Sequence, residues 1–162
     1  MNTILFIGPP ASGKGTQAAL LAEHFGFTHI STGKMLRDMK KTNPELAQIM
    51  DNGNLVPDDL VLNALYSKLE SENLYEKLIL DGTPRSLYQY VKMRDWFASK
   101  GFPIDKVIYI TLSEEEAVRR LSARREDKVT GATYNLLTNP PGDDVNPDNL
   151  VIREDDKPET IK

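Results

Sequence analysis

The sequence predicts an α/β fold, a doubly wound parallel sheet with helices on both faces. Three observations predict it. Short apolar runs alternate with helical patterns, the runs do not alternate cleanly with polar residues, and the first run opens onto a glycine-rich loop. A strand buried on both faces reads as a continuous apolar run, as in parallel sheets packed between helices.

The elements follow in order. A first strand is expected at Thr3–Ile7, then a loop, then a helix beginning near Gln17 and ended by Gly26. A short second strand is expected at 27–30, a third at 77–80 and a fourth at 107–112. Asn43-Pro44 places a cap residue before a first-turn proline, and Gly53 is the expected stop of that helix. Pro57-Asp58-Asp59 opens another helix, with acids in its first turn. A helix from about 86 to 100 carries Trp96 and Phe97 as core residues, and Gly101 follows it. Ser113-Glu114-Glu115-Glu116 reads as a capping box after the fourth strand. From about 126 to 152 turn residues dominate, which fits either a floppy excursion or a small lid.

Composition removes several function classes. With 162 residues, 40% of them hydrophobic, the chain fits one domain with a real core. It contains no cysteine, so disulfides, cysteine zinc sites and thiol chemistry are excluded. His24 and His29 read as helix-surface and sheet-end residues, not ligands. A formal charge of −4 without long basic runs argues against a nucleic-acid surface. No apolar stretch approaches the ~18 residues of a membrane span. No charged region precedes the short N-terminal apolar run, so that run reads as a strand and not a signal peptide. A soluble cytoplasmic protein is expected.

The loop is Gly8-Pro9-Pro10-Ala11-Ser12-Gly13-Lys14-Gly15-Thr16-Gln17. Strand, glycine-rich loop and helix form the context of a phosphate-binding P-loop. Small residues let successive N–H groups turn inward around an anion, and the helix N-terminus adds partial positive charge. Lys14 supplies a full charge and Thr16 a hydroxyl for a magnesium-linked contact. In the plain pattern the hydroxyl residue follows the lysine directly; here Gly15 intervenes.

Two further motifs follow strands. Ser31-Thr32-Gly33-Lys34-Met35-Leu36-Arg37 offers Thr32 for a base and Arg37 for a second phosphate. Asp81-Gly82-Thr83-Pro84-Arg85-Ser86 places a carboxylate at the carboxyl end of a strand, where open α/β sheets bind ligands. Asp81 suits magnesium held through water, Arg85 can clamp phosphate with its planar fork, and Gln89 carries an amide suited to an adenine edge. Arg120 and Arg124, one turn apart, are expected to share a helix face, with Arg125 adjacent and Arg153 beyond the insertion. Each arginine alone is an ordinary solvated charge. An acidic chain that gathers Lys14, Arg37, Arg85, Arg120, Arg124 and Arg153 around one cleft would hold two polyanions together despite their repulsion.

The sequence resembles the adenylate kinases, a family of nucleoside monophosphate kinases. Carrying the resemblance are Gly-Lys-Gly-Thr-Gln at 13–17, Ser-Thr-Gly at 31–33 with Arg37, Leu55-Val56-Pro57-Asp58, Asp-Gly-x-Pro-Arg at 81–85 with Gln89, and the Arg120/Arg124 pair. It spans essentially the whole chain, and the Gln-bearing third motif is similar to AMP-using members. The resemblance implies a P-loop core at 1–30, 61–120 and 157–162, a helical segment binding the nucleoside monophosphate at 31–60, and a mobile lid at 121–156. It implies reversible transfer of a phosphoryl group from Mg-ATP to AMP, giving two ADP. The alternatives are a kinase of another nucleoside monophosphate or an inactive nucleotide-binding module.

The resemblance also implies residue roles. Pro10, Ala11, Ser12, Gly13, Lys14, Gly15, Thr16 and Gln17 would wrap the ATP phosphates, with Arg120 over the ATP adenine. Thr32, Gly33, Arg37, Leu55, Val56, Gly82, Arg85, Gln89 and Arg153 would hold AMP. Lys14, Arg85, Arg124 and Arg153 would act on the transferring group, with Arg124 also on ATP. Thr16 and Asp81 would reach Mg2+ through water. Structural zinc, a nucleic-acid partner and a membrane are not expected, and a monomer is.

Three departures from the family pattern stand out. Lys34 replaces a usual aspartate, and Thr83 a usual phenylalanine. The sequence ends at Lys162, where a helix is due, whereas family members continue with another arginine, a fifth strand and a last helix. A shortened or truncated member is expected, lacking the usual C-terminal core segment. Its four-stranded sheet would expose an edge and part of its apolar face.

Overall fold

A computed structural model describes residues 2–52, 54–153 and 156 of the chain. Four parallel strands form the central sheet, β1 (Thr3–Ile7), β2 (Thr28–Ser31), β3 (Leu78–Asp81) and β4 (Ile104–Tyr109), in the order β2-β3-β1-β4. Among the described residues six α-helices accompany them: α1 (Lys14–Phe25), α2 (Thr32–Lys40), α3 (Pro44–Asp51), α4 (Asp58–Ser71), α5 (Leu87–Ser99) and α6 (Glu114–Ala123). A second, antiparallel sheet follows, with β5 (Arg124–Asp127) between β6 (Thr133–Asn135) and β7 (Leu150–Val151).

The strand pleat sorts the core onto two faces. Leu5, Leu78 and Leu80 point to the side covered by α4 and α5, where they meet Leu62, Leu65, Leu69, Met93 and Phe97. Ile4, Phe6 and Ile79 point the other way, onto Ala18 and Ala22 of α1. The parallel register pairs Ile4 with Ile79 and Leu5 with Leu80, so neighbouring strands put matching residues on each face. Phe97 is fully buried, and Trp96 packs against this core, stacked on Tyr66 with 4.5 Å between ring centroids. Leu36, Leu46 and Val61 form a separate small core that ties α2 and α3 to α4.

The helix boundaries follow local signals. Asn43 caps α3, Ser86 caps α5 and Ser113 caps α6, each side-chain oxygen accepting from a backbone N–H three residues on. Gly26 ends α1 in the left-handed conformation. The capping box at Ser113 is half used: Glu116 binds Arg119 and Arg120 instead of reaching back.

Four expectations need correction. Helix α1 begins at Lys14, not near Gln17, so the lysine lies in its first turn. Strand β4 runs from Ile104 to Tyr109, not 107–112. Its last pair is Ile7 with Tyr109; β1 ends there, so the apolar run outlasts its partner. Arg120 and Arg124 do not share a helix: α6 stops at Ala123, and Arg124 is extended and pairs with Asn135 of β6. His29, expected at a sheet end, sits within β2, half-buried and 3.8 Å from the Asp81 carboxylate. The expected stop at Gly53, the core segment at 157–162 and residues 154 and 155 of the expected lid lie outside the described residues.

Beside β4 the sheet carries an open apolar groove of about 390 Å³, with Phe6, Leu21, Phe25 and Ile108 among its walls. Val107 and Tyr109 are exposed on the same edge strand. Among the described residues, no helix is long and apolar enough to cross a membrane.

Candidate active site

The chain leaves β1 toward β2 and leaves β3 toward β4, in opposite directions along the sheet. The loops after β1 and β3 therefore emerge side by side at the carboxyl edge, where such sheets bind ligands. Gly8 fits only as glycine: its φ is +152°, and a Cβ there would lie 2.2 Å from the Ile110 carbonyl oxygen. Gly13, also left-handed, precedes α1 without a side-chain cap, so first-turn N–H groups stay open to an anion. The Ser12 hydroxyl is buried in the same loop without a hydrogen-bond partner among the described residues.

Lys14 folds back over the loop. Its Nζ donates to the carbonyls of Gly8 at 2.8 Å and Pro9 at 2.7 Å. Burial lowers its pKa below the usual lysine value; nearby Asp81 opposes that shift, and the positive fields of Arg85 and Arg124 add to it. Residues from three separate parts of the chain thus act on one another. A Cβ on Gly15 would lie 3.3 Å from Asp81 Oδ2, so the carboxylate sits against the first turn of α1.

A second cationic group adjoins the first. Arg153 is largely buried, and burial with the fields of Arg37 and Arg124 lowers its pKa, against the pull of Glu126. Its Nε donates to Glu126 Oε2 and its Nη2 to Thr133 Oγ1 at 2.5 Å. Arg37 Nε lies 3.7 Å from the same Glu126 oxygen. Arg124 joins both groups, and its Nε donates to buried Asp156 at 2.6 Å. Lys14, Arg37, Arg85, Arg124 and Arg153 therefore lie within reach of one another's charge, interleaved with the carboxylates of Asp81, Glu126 and Asp156.

The base-reading candidates lie beneath it. Thr32 is buried and its hydroxyl donates to the Asp81 carbonyl at 3.0 Å. Gly82 has a φ of +85°, and a Cβ there would stand 2.8 Å from Thr32 Oγ1. Gln89 is also buried. Its Oε1 accepts from the Arg85 N–H at 2.7 Å and from Thr83 Oγ1 at 3.1 Å, while Nε2 donates to Asp58 at 2.7 Å. Thr83 is thus part of the network that orients this amide. Gly33 is half-buried beside Arg37, Val56 packs under α2 and α3, and Leu55 is exposed.

Some expected residues stay apart from these contacts. Arg120 binds Glu116 at 2.7 Å within α6. Pro10, Thr16 and Gln17 are exposed, and Ala11 is half-buried in the left-handed conformation. The Arg85 side chain, unlike its backbone N–H, turns outward: it is exposed, with Nε donating to the Gly82 carbonyl at 3.0 Å. Sequence reading missed the carboxylates that engage these groups: Asp58, Glu126 and Asp156. Their signal was faint, an acid in a helix start and acids beside arginines, which also describes a solvated surface.

Comparison with known proteins adds a separate finding. A family model described as adenylate kinase matches residues 6–162. An adenylate kinase of Salinibacter ruber (strain DSM 13855 / M31) is 43% identical over 166 residues, covering 100% of this chain and 77% of the relative. One of Anaeromyxobacter sp. (strain Fw109-5) is 41% identical, covering 98% of the chain and 78% of the relative. One of Kosmotoga olearia (strain ATCC BAA-1733 / DSM 21960 / TBF 19.5.1) is also 41% identical, covering 100% and 79%.

Proposed function

The chain belongs to the adenylate kinase family, and from that premise we propose that it moves a phosphoryl group reversibly from Mg-ATP to AMP, forming two ADP. The observation that carries this reading is a pair of cationic groups: Lys14 folded over the glycine-rich loop, with Nζ 2.8 Å from the Gly8 carbonyl and 2.7 Å from that of Pro9, and Arg153 and Arg37 gathered on one oxygen of Glu126. In this reading the first group faces the phosphate chain at the loop before α1 and the second faces the phosphate beside α2.

In this reading an AMP phosphate oxygen attacks the γ-phosphorus of ATP. A new oxygen–phosphorus bond forms, the bond from γ-phosphorus to the bridging oxygen breaks, and ADP leaves. No side chain acts as nucleophile. Lys14, Arg85, Arg124 and Arg153 align the two oxygens and stabilise charge on the transferring group. Loop residues 10–17 wrap the ATP phosphates, and Arg120, released from Glu116, lies over the adenine. Thr32, Gly33, Arg37, Leu55, Val56, Gly82, Arg85, Gln89 and Arg153 hold AMP.

The buried Asp81 carboxylate beside Gly15, with Thr16 in the same turn of α1, fits a magnesium ion carried by ATP, since Mg2+ keeps its waters and takes few protein oxygens. When bound, the ion neutralises charge on the ATP phosphates. Segment 31–60 serves the acceptor nucleotide, and segment 121–156, built around the small sheet, serves as the lid that excludes water. The core comprises 1–30 and 61–120. The protein works as a cytoplasmic monomer.

The test is a panel of nucleoside monophosphate acceptors with Mg-ATP. AMP is expected to be phosphorylated in strong preference to GMP, CMP and UMP. Equal use of a pyrimidine nucleotide would overturn the AMP assignment.

A further inference from the structure

We propose that Glu126 is an internal competitor for the acceptor phosphate and sets the affinity for AMP. The inference rests on the reading of Arg37 and Arg153 as acceptor-phosphate ligands. One oxygen of Glu126 accepts from Arg153 Nε and lies 3.7 Å from Arg37 Nε. The side chains are largely withdrawn from water, at 12% exposure for Arg153, 20% for Glu126 and 29% for Arg37. A carboxylate and a phosphate offer guanidinium groups the same chemistry, anionic oxygens at hydrogen-bond range. Glu126 therefore occupies, from within the chain, the place a phosphate oxygen would take.

The geometry also gives the competitor a mechanical side. Glu126 belongs to β5 of the small sheet, and Arg37 belongs to α2. The shared oxygen clasps these two parts of the chain while no phosphate is present. AMP must displace it, so apparent affinity is reduced by the fraction of molecules in which the arginines are free. Glu126 is a positioning residue, since it acts through Arg37 and Arg153.

The experiment compares wild type with Glu126→Gln, using calorimetry with AMP and with adenosine, and steady-state kinetics. AMP affinity is expected to rise about five- to tenfold in the variant, while adenosine affinity stays unchanged because it carries no phosphate. The KM for AMP should fall in step, with the KM for ATP moving less than about twofold. Should Glu126→Gln fail to fold, Glu126→Met supplies the same comparison without a charge. Unchanged or weaker AMP binding overturns the inference. So does equal binding of AMP and adenosine by wild type, which would remove the arginines from phosphate binding. A wild type that binds AMP yet forms no ADP contradicts the proposed reaction, and the calorimetric comparison alone then decides the role of Glu126.

Discussion

The backbone N–H of Arg85 donates to Oε1 of Gln89 across 2.7 Å, so the arginine's backbone and the amide are fixed to one another. Asp58 holds the other end of the amide and also accepts from Ser86 Oγ at 2.7 Å. The orientation of the amide is therefore determined: the N–H of Arg85 requires the oxygen, and the carboxylate of Asp58 requires the nitrogen.

Replacing Gln89 by Ala is expected to raise the KM for AMP and relax base choice. It also strands a buried N–H and a carboxylate oxygen, at a cost of about 1–3 kcal/mol in stability. Thr83→Val removes one donor to Oε1 and is expected to cost about 1 kcal/mol, with a smaller loss of base discrimination. Chemical denaturation and an acceptor panel check both. Unaltered discrimination in Gln89→Ala would remove that residue from base reading.

Arg85 is exposed at the cleft and anchored through the Gly82 carbonyl. Arg85→Ala is expected to lose about 3 kcal/mol or more of transition-state stabilisation, mostly in kcat. Near-normal turnover in this variant would take Arg85 out of the mechanism.

Lys34 stands across from the small sheet, with its Cε 3.9 Å from where a Cβ on Gly131 would lie. If a cation here opposes closure of the helical segment on the sheet, removing it should show in AMP binding. Lys34→Asp is expected to strengthen AMP binding and alter turnover, read by calorimetry and steady-state kinetics. No change in either contradicts the assignment.

Much of the fold was legible because local signals and tertiary packing agree. Leu78 to Leu80 read as a buried strand and are one, and Ser86 marked the start of α5. Arg124 was misplaced because its conformation is decided at long range. The Ala123 carbonyl accepts from the Leu136 N–H, and β6 pairs with β5, overriding a helical pattern. Strand β4 was misplaced because Asp105 and Lys106 are polar residues on an edge strand, outside any apolar pattern. The cations that the structure gathers, Lys14, Arg37, Arg124 and Arg153, were named from their motifs. Their carboxylate partners were not, since no local rule ties Glu126 to Arg37 or Asp58 to Gln89.

Acid is expected to loosen the small sheet through Asp127. Its Oδ1 accepts from the N–H groups of Val129 at 2.8 Å and Thr130 at 3.0 Å. These bonds, Thr130 first, hold its carboxyl below the ordinary value of 3.8. A depressed carboxylate contributes stability that is present above the unfolded value and lost as pH falls through the folded one. The amide resonances of Val129 and Thr130 should shift together below pH 3.8. Asp127→Ala should abolish that titration; amides that titrate identically in the variant would refute the role.

The central claim is that two nucleotide phosphate chains are held side by side by Lys14 and the arginines and exchange a phosphoryl group. Incubating the purified chain with ADP and magnesium tests it most directly. The account predicts ATP and AMP appearing in equal amounts, and forming about a hundredfold or more slowly in Arg85→Ala. ADP that binds but remains unchanged, with no ATP formed, would contradict it.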